Sequence, residues 1–339
     1  MKILVLGSTG YIGTHLIKTL KQTTWAQPTG ASRTKSSGQA SDVDWMPLDT
    51  RDTAALARSL DGFEVVVNCV AGDRTSIAQG ACDLAAAATL AGCRRIIHMS
   101  TMSVYGAAEG LVKEDFPLEK PAGWYGEAKR QAEMHMRDFA KKGGEVVVLR
   151  PGCVFGPGSE LWVGRTGRWL KAGRLGDLGV AGDGWSNLVH VDDVCHAVVS
   201  ALKLEVVHGD LPIFNLAAPD SPRWNEYFVE LAIAIGAIPV RRISSRKLQI
   251  DSLVASPPLK IAELLLRYFG KRSGNLPEPI PSGLVKLWGQ QIRLDAQNAS
   301  QKLGITWTVY ANALQCSATW FSEIGEPDKP AIGKAICTH

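Results

Sequence analysis

No stretch of this 339-residue chain approaches the roughly 18 uncharged apolar residues of a membrane span. The best candidate, residues 253–269, is broken by Pro257, Pro258, Lys260, Glu263 and Arg267. Long runs of one charge sign are also missing: 37 basic against 33 acidic residues leave a net charge of +4, which gives no electrostatic footprint for nucleic acid. The seven cysteines (Cys69, Cys82, Cys93, Cys153, Cys195, Cys316 and Cys337) form no C-x-x-C pair and suggest no metal ligand set. An odd number of isolated cysteines fits a reducing compartment. Internal repeats and low-complexity segments are absent. The apolar run at residues 3–6 is too short for a secretory signal and meets Gly7 at once, so it is expected to be a buried strand. A cytoplasmic location is therefore expected.

What is present is the composition of a soluble globular protein, with 45% apolar and 21% charged residues. Short apolar runs alternate with helical stretches. Strands are predicted at residues 3–6, 64–69, 95–99 and 145–149, and helices at 11–22, 77–91 and 127–142. A further strand belongs near residues 28–33, although 30–41 is rich in Gly and Ser and reads as a loop. Such alternation indicates β-α-β units and an α/β fold with a Rossmann-type, doubly wound parallel sheet. After Arg150 the texture changes, with frequent Gly and Pro and with Trp and Arg interleaved. Strand-like runs return at 188–191 and 212–216. The expected division is a nucleotide-binding domain at 1–156 and 187–217, an interleaved C-terminal substrate lobe at 157–186 and 218–324, and a poorly ordered tail at 325–339.

The first chemical signal is Gly7-Ser8-Thr9-Gly10-Tyr11-Ile12-Gly13, directly after a strand and opening a helix. Gly7 permits the tight turn, Gly10 lets backbone approach a pyrophosphate, and Gly13 allows close helix packing. The amides from Thr9 to Gly13 then face the phosphates at the positive end of the helix dipole. The end of the second strand selects the dinucleotide: a carboxylate suits the ribose hydroxyl of NAD, a cation the extra phosphate of NADP. No Asp or Glu occurs between Thr14 and Ser41, whereas Ser32, Arg33 and Lys35 do. NADP is favoured over NAD.

Tyr125 and Lys129 stand four residues apart at the start of a predicted helix, hence on one face. A nearby ammonium lowers a phenol pKa, and a phenol tuned in this way can exchange a proton with a substrate oxygen. Around this pair come His98-Met99-Ser100-Thr101-Met102-Ser103-Val104-Tyr105-Gly106, then Arg150-Pro151-Gly152-Cys153-Val154-Phe155-Gly156-Pro157 and His190-Val191-Asp192-Asp193-Val194. This ordered set resembles the extended short-chain dehydrogenase/reductase family, also called the NAD(P)-dependent epimerase/dehydratase family, over roughly residues 1–216.

The resemblance implies a triad in which Thr101 bonds the substrate oxygen, Tyr125 is the acid/base, and Lys129 binds the nicotinamide ribose and tunes Tyr125. Ser100 is the fallback for Thr101. It also implies Asp49 near the adenine, and Val70, Ala71, Gly72 and Pro151 beside the cofactor. His190 and Asp192 are expected to be structural. A homodimer follows by analogy alone.

Three departures narrow the branch. The dehydratases of the family carry an Asp-Glu pair after the Thr, where this chain has Met102 and Ser103. Its sugar-nucleotide epimerases place an Asn at Cys153 and an Arg shortly before His190, both aimed at a diphosphate; this chain has neither, although Arg165, Arg168 and Arg174 are near enough in sequence to substitute. The remaining pattern is similar to the hydroxysteroid dehydrogenase and dihydroflavonol reductase branches. An NADP-dependent oxidoreductase of a small secondary alcohol or ketone is expected first, a 4-epimerase with tightly bound NAD second, and a non-catalytic NADP sensor third. Trp162, Trp169, Trp185, Trp224 and Trp288 are available either to line an apolar pocket or to fill a core.

Overall fold

Ile3, Leu4, Val5 and Leu6 are all buried, and alternate members serve opposite faces of a sheet. That explains the unbroken apolar run: a parallel strand covered on both sides has no polar face to show. The computed structural model describes residues 1–34, 44–118, 123–268 and 277–324. They form two units. The first comprises Met1–Val154, Val189–Pro219 and Leu294–Trp307; the second comprises Phe155–Leu188, Asp220–Arg293 and the described residues from Thr308 onward.

In the first unit the chain runs through β1 (Lys2–Leu6), α1 (Tyr11–Lys21), β2 (Gln27–Ser32), β3 (Trp45–Pro47), α2 (Thr53–Ser59), β4 (Val65–Asn68), α3 (Arg74–Ala91), β5 (Arg95–Met99), β6 (Gly110–Val112), α4 (Trp124–Lys141) and β7 (Glu145–Pro151). After β8 (Cys153–Phe155) it leaves for α5 (Thr166–Lys171), then returns through β9 (Leu188–His190), α6 (Val191–Lys203) and β10 (Ile213–Leu216). Seven strands pair in the order β3-β2-β1-β4-β5-β7-β10, each neighbouring pair parallel. Ile3, Val5, Val67, Ile97 and Val147 pack on the side of α1 and α6. Leu4, Leu6, Val66, Ile96 and Val148 pack on the side of α2, α3 and α4. The α/β, Rossmann-type sheet expected from sequence is present.

Three details differ from expectation. Gly30, Ala31 and Ser32 complete β2 rather than opening a loop, because backbone bonding to β1 on one side and β3 on the other holds a segment with little apolar character. The rest of that expected loop from Lys35, like the expected tail, lies outside the described residues. Leu294–Trp307 belongs with the first unit, not with the second lobe, since Ala299, Leu303 and Ile305 join the core beneath α6. Cys69, Cys82, Cys93, Cys153 and Cys195 are free thiols, whereas Cys316 is disulfide-bonded.

The second unit contains α5, α7 (Trp224–Ala234), α8 (Ser245–Gln249) and α9 (Ser256–Tyr268). Its centre is aromatic. Trp169, Trp224 and Trp288 are fully buried, with Phe228 stacked on Trp224 at 5.5 Å and edge-on to Trp288 at 5.3 Å. These three tryptophans are core, not pocket lining. Among the described residues no helix is long and apolar enough to cross a membrane, and no group of potential ligands could hold a metal ion.

Candidate active site

Strand order reverses between β1 and β4, so the connections that leave these strands go to opposite faces and open a crevice at the carboxyl edge of the sheet. The turns bordering that crevice carry most of the residues singled out by sequence. Gly7 has φ +74°, and a Cβ there would stand 2.9 Å from the Cys69 carbonyl oxygen in the turn after β4. Its amide donates to the Ala31 carbonyl at 3.0 Å, which ties the same turn to the end of β2.

A Cβ on Gly13 would fall 2.3 Å from the Gly7 carbonyl oxygen, so only glycine lets α1 lie against its own turn. Gly10 is less confined, with its nearest contact at 3.2 Å. It is the N-cap of α1, offers no side-chain cap, and is followed by a first turn without an acidic residue. The first-turn amides of Ile12 and Gly13 have no intrahelical acceptor, and the dipole is positive there. Thr9 is exposed beside them, and Tyr11 packs edge-on against His15 at 5.2 Å. This cradle fits an anionic pyrophosphate.

At the end of β2 the sequence candidates part company. The Ser32 hydroxyl accepts from Trp45 Nε1 at 2.8 Å and donates to the Thr34 carbonyl at 2.9 Å, so it serves the strand edge. Arg33 follows, exposed. Lys35 lies outside the described residues. Asp49 is gripped by Arg51 at 2.6 Å; that hydrogen bond first, with a smaller contribution from the Arg33 charge, pulls its carboxyl down to about 2.

The turn after β4 is shaped by buried Asn68, whose Oδ1 accepts from the Val70 amide at 3.1 Å and whose Nδ2 meets His98 Nδ1 at 3.3 Å. Ala71 follows, then Gly72 at φ +137°. Burial, with help from the Lys129 charge, drops the His98 imidazole to about 3, so it is neutral.

Lys129 knits this turn to the next. Its ammonium donates to the Met99 carbonyl at 2.7 Å and the Val70 carbonyl at 3.2 Å, and burial lowers it to about 8. Tyr125 is half-buried one turn earlier on the same helix, with exposed Trp124 edge-on at 5.8 Å. Burial raises the Tyr125 phenol. Desolvation thus governs the phenol, and the expected lowering by Lys129 is not seen.

Thr101 Oγ1 accepts from the Ser103 amide at 3.2 Å and donates to the Ser103 hydroxyl at 3.3 Å. Ser100, by contrast, donates to Glu133 Oε1 at 2.5 Å. Glu133 was not singled out by sequence, although it continues the four-residue spacing from Tyr125 through Lys129. It receives Arg150 through Nε at 2.9 Å and Nη2 at 2.7 Å. Arg150 Nη1 donates onward to Tyr105 Oη at 2.8 Å, which donates to Asn215 Oδ1 at 2.7 Å. This network fastens the β5 end and α4 to β7, which closes with Pro151, and to β10. Asp192 lies 3.6 Å from both His15 and His190, between α1 and the start of α6.

The model of the NAD-dependent epimerase/dehydratase family matches residues 3–217. The chain is 24% identical over 242 residues to an N-acetyl-alpha-D-glucosaminyl-diphospho-ditrans,octacis-undecaprenol 4-epimerase of Escherichia coli O157:H7, covering 68% of this chain and 71% of that protein. It is 30% identical over 266 residues to a 3-diazoavenalumate denitrifying reductase of a Streptomyces species, covering 72% and 84%. The structure of a UDP-glucose 4-epimerase from Thermotoga maritima, solved with UDP-glucose, superposes with a TM-score of 0.72 at 21% identity, over 96% of this chain and all of that one. With a family match that spans well over half its length, on a sheet whose crevice is bordered by the glycine turn and the Tyr125–Lys129 helix, the chain belongs to the NAD-dependent epimerase/dehydratase family.

Proposed function

We propose that this protein is a hydride-transfer oxidoreductase that interconverts a secondary alcohol and a ketone with NADP(H). The observation that carries the choice of branch is the condition of the three arginines that sequence offers as substitutes for a diphosphate site. Arg168 pairs with Glu278 at 2.8 Å and also with Glu160. Arg165 lies 3.6 Å from Glu278, and Arg174 bonds Asp251 at 3.0 Å. Each cation already has a carboxylate, and buried Cys153 offers an anion no charge. These commitments favour a substrate without a diphosphate.

The bound nicotinamide dinucleotide would supply or accept the hydride. The amides at the start of α1 would hold its pyrophosphate, and Arg33, with Lys35, its 2′-phosphate. Thr101 would turn its hydroxyl from the long 3.3 Å bond to Ser103 and donate to the substrate oxygen, whereas Ser100 is held by the much shorter bond to the Glu133 carboxylate. Tyr125 Oη would give its proton to that oxygen in reduction and recover it in oxidation. Its raised pKa keeps the phenol protonated in the empty site, the form that a reductase needs at the start of a cycle. Lys129 would hold the β4 and β5 turns in register around the site.

A second reading, a sugar-nucleotide 4-epimerase with tightly held NAD, is favoured by a likeness to a UDP-glucose 4-epimerase of Vibrio cholerae, 28% identical over 221 residues. Deuterium separates the two. A panel of ketones is incubated with protein and NADPH deuterated at C4 of the nicotinamide, and UDP-hexoses are incubated with protein alone. Deuterium in an alcohol product supports the oxidoreductase, whereas interconversion of 4-epimers without added cofactor overturns it.

A further inference from the structure

Within the second unit, five large apolar side chains of one helical stretch face solvent. Ile250, Leu253, Val254, Ile261 and Leu265 are between 53% and 66% exposed. Their spacing joins them into a stripe. Ile250 is followed by Leu253 and Val254 at three and four residues, exposed Pro257 and Pro258 bridge the next turn, and Ile261 and Leu265 stand four apart on α9. Residues three and four apart are neighbours on a helix surface. The prolines withdraw two amide donors from the helical ladder, and the preceding Ile250–Ala255 is wound more loosely, as a π-helix.

The charge around the stripe is predominantly basic. Exposed Arg246 and Lys247 stand four and three residues before Ile250, and exposed Lys260 adjoins Ile261. Between residues 241 and 267 the sequence holds six basic residues against two acids, Glu263 and Asp251, and the Asp251 carboxylate is engaged by Arg174. Among the described residues no carboxylate forms an ion pair with Arg246, Lys247 or Lys260.

We infer that this face docks on an anionic lipid surface. Apolar side chains on such a stripe enter the boundary between headgroups and acyl chains, while lysine and arginine remain among the phosphates. A second copy of the chain is a poorer occupant. A two-fold contact through the same stripe would bring the Arg246, Lys247 and Lys260 clusters of both copies together, and like charges juxtaposed in an interface oppose association. The docking is peripheral, requires no membrane span, and stands apart from the hydride-transfer reading.

The full-length protein is sedimented with vesicles of phosphatidylcholine alone and of phosphatidylcholine mixed with phosphatidylglycerol, while its oligomeric state is measured by light scattering. The expected result is binding to the mixed vesicles, and release in roughly 1 M salt, where the screening length falls to about 3 Å. The double variant Arg246→Gln/Lys247→Gln is expected to bind roughly thirtyfold more weakly, from about 1 kcal/mol per basic side chain near the surface. Leu253→Asp/Val254→Asp is expected to lose binding, with an unchanged circular dichroism spectrum. No binding to the mixed vesicles, equal binding to neutral ones, or full binding by the Leu253/Val254 variant would overturn the inference. So would a solution dimer that this variant dissociates, because the stripe would then be covered by a second copy.

Discussion

The Lys129 ammonium donates to the Met99 carbonyl oxygen at 2.7 Å, so a helix side chain is anchored two residues before Thr101 at the end of the neighbouring strand. Holding a cation there has a cost. Burial brings its pKa from 10.5 to about 8, so the folded protein binds this proton more weakly than the unfolded chain does. At about 1.4 kcal/mol per unit, the charged form costs roughly 3 kcal/mol below pH 8, and the penalty fades as pH rises towards 10.5. Lys129→Met lacks this titration. Denaturant unfolding of both proteins at several pH values should therefore show wild type gaining stability relative to the variant between pH 8 and 10.5. Parallel curves would show that Lys129 is not desolvated as described.

Glu133 and Arg150 are both almost wholly buried and are joined by two hydrogen bonds. Glu133→Gln keeps the shape and removes the charge that balances Arg150. Breaking a buried pair from one side costs about 3–5 kcal/mol. Ser100→Ala removes one bond to the same carboxylate and should cost about 1.5–3 kcal/mol. Urea midpoints measure both, and a Glu133→Gln protein as stable as wild type would contradict the assignment.

The two glycines of the phosphate cradle should behave differently. Gly13→Ala drives a methyl to 2.3 Å from the Gly7 carbonyl, a clash with backbone that costs about 1–3 kcal/mol and distorts the turn. Gly10→Ala meets the same atom at 3.2 Å, so the fold should tolerate it while dinucleotide affinity drops. Thermal melts alongside cofactor titration distinguish them. Equal melting losses for the two would mean that the clash at Gly13 is relieved elsewhere.

Tyr125→Phe should retain nucleotide binding and lower turnover by about 10²–10⁴-fold, the usual contribution of a positioned acid/base. Single-turnover kinetics on any ketone found in the deuterium screen provides the measurement. An undiminished rate would remove Tyr125 from the proton-transfer role.

Much of this was legible in the sequence, and the exceptions have physical causes. β1, α1 and β5 were readable because apolar runs and the glycine turn are local signals. β2 was obscured, since Gln-Pro-Thr-Gly-Ala-Ser is held by ladder bonds to its neighbours and not by its own pattern. The return of Leu294–Trp307 to the first unit depends on three side chains meeting a core built from distant residues. At the site, Tyr125 and Lys129 follow helical spacing, and so does Glu133. Its partner Arg150 is 17 residues away on another element, however, and only folding shows that the carboxylate is buried and paired. The Trp residues illustrate the opposite limit, because composition cannot tell a pocket wall from the packed cluster that Trp169, Trp224 and Trp288 form.

The central claim is that the crevice beside β1 takes NADP(H) reversibly, and it is tested most directly before any substrate is known. The purified protein is denatured, any released nucleotide is identified, and the stripped protein is titrated with NADPH and NADH, alongside Arg33→Ala. An empty site that binds NADPH far more tightly than NADH, with most of that preference lost in Arg33→Ala, is the predicted result. Stoichiometric NAD that does not exchange would contradict it and establish the epimerase reading in its place.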